Sequence, residues 1–186
     1  MEIRPTTPLD LDRLDDIDGT IDSAAYLHVE RGGEALASSF RLEQRPLRER
    51  LIQSNPISDE IRFMLRQVCT GVEDGIALLA EHESAVVASI LAVAQPDARI
   101  LKVLDLRVDL DQRRQGLGLA MVFQLINDAR QRGLRAVMAP TLTNNMPAAQ
   151  LFLKAGFELA GLDCQRHSNH DLVKEAVSLF WYAALD

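Results

Sequence analysis

The run Arg113-Arg114-Gln115-Gly116-Leu117-Gly118-Leu119-Ala120 holds what a phosphate cradle needs. Gly116 and Gly118 let an anion approach the backbone, and Arg113 and Arg114 are mobile charged donors. Where such a run opens a helix, the first N–H groups have no partner inside the helix, and the helix dipole adds about half a positive charge. A tight strand-to-helix connection uses the same two glycines with no ligand, so the run taken alone leaves both readings open. Two nucleotide signatures are excluded: no Gly-Lys-Ser/Thr is present, and Met121 stands where a dinucleotide fingerprint needs a small residue.

Carboxylates are the second chemical resource. Asp105 lies three residues before Val108 on the polar face of an apolar stretch. An amine must lose a proton before it attacks a carbonyl, so a carboxylate placed there serves as base, binds the ammonium as counter-ion, or stays solvated and inert; the sequence leaves all three open. Asp10, Asp12, Asp15, Asp16, Asp18 and Asp22 crowd the N-terminus as either the solvated face of a first helix or a wall that attracts an amine. His167 and His170 fall in a polar stretch, where they are solvated, border an acceptor or cluster as metal ligands do. Cys69 and Cys164 have no metal-ligand spacing and read as reduced thiols.

The elements that must carry these groups alternate between strand and helix. A short strand over 2–4 precedes a helix over 8–18, with Pro8 at its start and Gly19 at its end. Helical spacing returns at 46–53, after Pro46, and at 58–70, where Ser58 is the N-cap. Apolar strands at 76–81 and 85–94, joined by a polar turn, form an antiparallel hairpin. A central strand over 99–108 leads through polar residues into a helix from 116 to 132, stopped by Gly133. A strand at 134–139, a short helix at 146–155 and strands at 157–163 and 175–183 complete an α/β sandwich with a mixed sheet. Phe152, Trp181 and Tyr182 read as core aromatics.

A strand ending Leu106-Arg107-Val108, then Arg113-x-x-Gly116-x-Gly118, then Asn145-x-x-Ala148 and Lys154-x-Gly156-Phe157, resembles the GNAT superfamily of acyl-CoA-dependent N-acyltransferases over roughly 75–183. Asp16-Ile17-Asp18, Tyr26-Leu27-His28-Val29 and the ending Glu175-Ala176-Val177-Ser178-Leu179-Phe180-Trp181-Tyr182 are similar to its branch containing streptothricin acetyltransferases. The resemblance implies a mixed, mostly antiparallel sheet flanked by helices, with a splayed central strand. It implies acetyl-CoA as acyl donor, held by Leu106, Arg107, Val108, the loop and helix start from Arg113 to Ala120, Asn145, Phe152 and Lys154. The Val108 N–H is the implied donor to the thioester oxygen, and no metal is implied. Many members carry Phe-Tyr where this chain has Leu151-Phe152, and a phenylalanine cannot protonate a departing thiolate.

The reaction implied is direct transfer of acetyl to a primary amine, with a small cationic molecule as acceptor; the alternative is a non-catalytic acyl-CoA-binding module. At 186 residues, with 47% hydrophobic and 25% charged residues, the composition excludes disordered, collagenous and membrane classes. A net charge of -7 argues against sequence-independent nucleic-acid binding. The acidic opening is unlike a signal peptide, and no apolar run is long enough to cross a bilayer, which points to the cytoplasm. One domain over 1–186 is expected, with 19–72 as a variable helical region on the acceptor side; a homodimer is left open.

Overall fold

In the computed structural model, which describes residues 1–185, strand β1 (Glu2–Pro5) leads into a 3-10 helix at Pro8–Asp16. That helix is shorter and tighter than the spacing predicts. Asp10, far from being solvated, is buried: it accepts from the Thr7 N–H and hydroxyl at 2.9 and 2.7 Å and pairs with Arg4 at 2.7 Å and Arg13 at 3.1 Å. Arg4 beside it holds the Asp10 carboxyl far below the usual carboxylate range.

The largest departure follows. Residues 19–72 are not mainly helical but carry a long antiparallel hairpin, β2 (Ile21–Gly32) and β3 (Ser39–Gln53), before α1 (Asp59–Cys69). The helix expected at 46–53 is strand, because pairing with β2 outweighs local spacing. Its trace survives as an irregularity: Ser23 pairs with Leu51 and Ala25 with Pro46, so four residues of β3, 47–50, oppose Ala24 alone. Proline has no ladder N–H to give, and such bulges are where it is tolerated. At the tip, a Cβ on Gly33 would sit 1.9 Å from the Ala37 carbonyl, at a φ of +81°, so only glycine fits. The hairpin is largely exposed, and the accessible surface of 10,664 Å² exceeds the roughly 8,900 Å² of a typical compact chain of this size.

The remaining elements match the expected order: β4 (Gly75–His82), β5 (Ala85–Gln95), β6 (Ile100–Val108), α2 (Leu117–Gln131), β7 (Ala136–Leu142), α3 (Met146–Lys154), β8 (Glu158–Asp163) and β9 (Ser178–Ala184). Ser58 caps α1 by accepting from the Ile61 N–H at 3.2 Å. The main sheet runs β1-β4-β5-β6-β7-β9-β8, and every neighbouring pair except β6 and β7 is antiparallel. One face packs on α2 and α3 through Leu101, Val103, Met121, Leu125, Phe152 and Trp181. Each fully buried large side chain there contributes about 1.5–3 kcal/mol. The other face, over β4 and β5, is covered by the 3-10 helix and α1 through Leu11, Leu14, Leu65 and Leu79.

Candidate active site

Strands β6 and β7 pair over only three residues, Ile100–Lys102 with Ala136–Met138. Beyond them the two strands part. The cause lies in β6: Ala92 pairs with Val103 but Leu91 with Asp105, leaving Leu104 as a bulge that bends the strand. Adjacent apolar Val103 and Leu104, which break the alternation, are its mark in the sequence. The Asp109 N–H donates to Val87 at 2.8 Å. By the alternation of an antiparallel ladder, the N–H groups of Leu106 and Val108 therefore point away from β5 into the gap.

At the mouth of the gap, residues 109–116 turn the chain into α2. The Asp109 carboxylate accepts from the Asp111 N–H at 3.1 Å and the Asp18 N–H at 3.0 Å. Arg113 is not the mobile donor expected from its position. It donates to the Val108 carbonyl at 2.9 Å and the Asp18 carbonyl at 3.4 Å, tying loop to strand, and burial lowers its pKa. Arg114 stays exposed. Gly116 caps α2 at a φ of +83°, and the first α2 N–H to find a helical partner is that of Ala120, which donates to the Gly116 carbonyl at 3.0 Å. The N–H groups of Leu117, Gly118 and Leu119 are thus free at the positive end of the helix. A Cβ on Gly118 would lie 3.4 Å from Val108 Cγ2 and from Leu151 Cδ2, so bare backbone meets the cleft there.

The cleft, about 640 Å³, runs from this helix end along the gap, and Asn145 at the cap of α3 and Phe152 and Lys154 within it are among the residues that line it. Asn145 accepts from the Ala148 N–H at 3.3 Å as an N-cap, which leaves its amide nitrogen for the cleft. Phe152 is buried against Phe157, with ring centroids 5.0 Å apart. Gln115 and Ala120, expected with the cofactor, are exposed and do not line the cleft: Gln115 lies in the bend before the α2 cap, and the first turn of α2 carries Ala120 to the outer side.

Asp105 and Arg107 reach the cleft from the opposite sheet face, where the strand alternation puts them side by side. The Arg107 guanidinium grips both Asp105 oxygens at 2.7 Å and donates to the Asn55 carbonyl at 2.9 Å; its side chain is 3% exposed and that of Asp105 14%. Gly19, expected as a helix stop, packs here instead: a Cβ would lie 3.0 Å from the Asn55 carbonyl oxygen and 3.2 Å from Arg107 Nη1. Asp22 stands in the same wall and pairs with Arg50. Sequence reasoning missed Gly19, Asn55, Thr141 and Leu151 as cleft residues. The opposite charges of Asp105 and Arg107 two apart on a strand were the one available signal. His167 and His170 lie on an exposed loop organised by buried Asp171, which accepts from the His167 N–H at 3.0 Å and the Ser168 hydroxyl at 2.7 Å. Among the described residues no three His, Cys, Asp or Glu groups are placed to hold a metal ion.

The free N–H groups at the α2 end and the open edge of β6 fit the diphosphate and the amide-bearing arm of acetyl coenzyme A. Comparison with known proteins agrees. A streptothricin acetyltransferase of Escherichia coli is 35% identical over 54 residues, 29% of this chain and 31% of that protein. Streptothricin acetyltransferase A of Bacillus subtilis (strain 168) is 28% identical over 78 residues, 42% of this chain and 44% of that protein. The chain thus spans less than half the length of these curated relatives. Among solved structures, nourseothricin acetyltransferase superposes with a TM-score of 0.79 at 20% identity, covering 100% of this chain and 98% of that one. A protein of Bacillus anthracis str. Ames, assigned as a streptothricin acetyltransferase and solved with acetyl coenzyme A, gives 0.78 at 19%, covering 100% and 97%. At such identities the likeness is one of fold. The family model described as the acetyltransferase (GNAT) family, however, matches residues 23–157, well over half of the sequence, and this chain belongs to that family.

Proposed function

We propose that the protein is an N-acetyltransferase that moves the acetyl group of acetyl coenzyme A directly onto a primary amine of a small cationic molecule. The observation that carries this reading is the gap between β6 and β7, with the Leu106 and Val108 N–H groups on its open edge and the α2 N-terminus at its mouth. The edge pairs with an extended amide arm as a further strand would. The Val108 N–H is then placed to donate to the thioester oxygen, whose negative charge grows as the amine attacks. Holding donor and acceptor together supplies most of the remaining rate enhancement. Asp105 is assigned to the acceptor side, where it orders the wall through Arg107. Its charge is already matched, so it offers an incoming ammonium little net attraction. Phe152 has no proton to give, and a thiol of pKa about 8.5 leaves without a phenol beside it.

A second reading, a non-catalytic acyl-CoA-binding module, is favoured by that same Phe152. Two measurements decide. Acetyl-CoA and CoA at 100 times their dissociation constants should raise stability by about 2.7 kcal/mol in a thermal-shift screen, with no shift from ATP or NAD. Thiol release from acetyl-CoA with a panel of amines then separates enzyme from binder; stabilisation without release on any amine establishes the binder.

A further inference from the structure

The cleft holds two carboxylates whose partners differ in kind. Asp105 faces Arg107, a buried guanidinium that would be left uncompensated if the pair opened, which is strongly unfavourable. Asp22 faces Arg50 with Nε–Oδ1 and Nη2–Oδ2 distances of 2.5 and 2.7 Å, but the Arg50 side chain is 61% exposed and that of Asp22 26%. A guanidinium that already stands in water rehydrates on release, so this pair opens at little cost. Arg50 also rises from the out-of-register stretch 47–50 of β3, which no ladder restrains, whereas Asp22 sits in register opposite Ile52. Arg113 is tied to the Val108 and Asp18 carbonyls, so Arg50 is the one cation hydrogen-bonded to Asp22 among the described residues.

We infer that Asp22 is a specificity-determining residue for the acceptor, binding a second ammonium group of a diamine, and that Arg50 holds its place in the free protein. This rests on the amine-acetylating reading above. The attacking nitrogen must be neutral when its lone pair adds to the thioester carbon, so a carboxylate that keeps a full positive charge beside it recognises a different nitrogen of the same molecule. Exchange of Arg50 for that ammonium replaces one cation by another and leaves Asp22 paired throughout. A neutral or anionic molecule cannot make the exchange.

The test is the ratio of kcat/KM for 1,4-diaminobutane to that for butylamine, measured in the wild type, Asp22→Asn and Arg50→Gln, each checked for a native circular dichroism spectrum. The wild type should prefer the diamine by about tenfold or more, the size of one charge-assisted hydrogen bond. Asp22→Asn should bring the ratio close to one. Arg50→Gln, which removes the competing charge, should raise it by about two- to fivefold, the range of an exposed ion pair. Because both amines meet the same damaged or undamaged protein, general loss of activity cancels in the ratio. A wild type with no preference, a ratio unchanged by Asp22→Asn, or a ratio that falls in Arg50→Gln overturns the assignment. Absence of turnover on every amine of the broader panel overturns the transferase reading instead.

Discussion

The two sides of the cleft are built by opposite means. The proposed donor side is largely contiguous: strand end, loop and helix start fall within residues 106–120, joined by Asn145, Phe152 and Lys154, and its main recognition groups are backbone N–H groups exposed by Gly116 and Gly118. The proposed acceptor side is assembled from Gly19, Asp22, Asn55, Asp105 and Arg107, and the groups it offers are side chains held by one another. Backbone recognition tolerates any residue that leaves room and fails abruptly when room is lost. Side-chain recognition is graded, because each partner can be weakened separately.

Gly118→Val tests the abrupt case and carries the largest expected effect. The Cβ is tolerated at 3.4 Å from its neighbours, but the γ-methyls must enter either Leu151 and Val108 or the cleft. Acetyl-CoA affinity measured by calorimetry should fall by about a hundredfold or more, the scale of a misplacement near 1 Å. Unchanged affinity in a folded variant would remove the donor site from this loop. Asp105→Asn tests the graded case: kcat/KM for the best amine should drop about tenfold with acetyl-CoA affinity within about twofold, since Arg107 loses the charged partner that holds the acceptor wall in place. Its melting temperature should fall too, because Arg107 is left buried with its charge unmatched, at about 3 kcal/mol. Full activity toward the best amine would make Asp105 an ordinary polar residue on a strand.

Gly19→Ala reaches the same wall without touching a charge. Its Cβ presses on the Asn55 carbonyl and Arg107, so stability should fall by about 1–2 kcal/mol on chemical denaturation, as overpacking does. The amine KM should rise while acetyl-CoA binding stays constant; a change in donor affinity would show that the two sides are coupled. Phe152→Tyr is expected to do least. The rate should stay level or rise, with no new alkaline loss of activity in the pH–rate profile. A phenol at Tyr26 or Tyr182 whose replacement by phenylalanine abolishes turnover would contradict a mechanism without a phenolic acid.

A last contrast lies outside the cleft. Since Arg4 depresses the Asp10 carboxyl, the stability this group contributes is complete above the ordinary carboxylate pKa and is lost as pH falls through that value toward the folded one. Asp10→Asn should therefore destabilise at pH 7, and the gap to the wild type should narrow below about pH 4, which urea titrations at several pH values measure directly.

Most of the donor side was legible because its determinants are local. A positive φ at Gly116 and a helix whose apolar residues Leu117, Met121, Leu125 and Ala129 recur every four positions follow from neighbours in the chain. The bulge at Leu104 left its mark as a broken alternation, and Ser58 declared its cap. The acceptor side obeys contacts that no local pattern encodes. Residues 46–53 have helical spacing, yet β3 carries them as strand, since Pro46 and residues 51–53 pair with a segment of β2 some twenty to thirty residues earlier and only 47–50 bulge out of register. Arg113 has a phosphate binder's type and position, yet the carbonyls of Val108 and Asp18 claim its guanidinium. Arg50 meets Asp22 across 28 positions only because the pairing of β2 and β3 sets Asp22 opposite Ile52, two residues from Arg50. Sequence alone determined where backbone would be bare and a helix would begin, because sterics and helix periodicity act between near neighbours. Which charges are matched, and which remain open to exchange, was decided only by the tertiary structure, because ion pairing depends on distance in space.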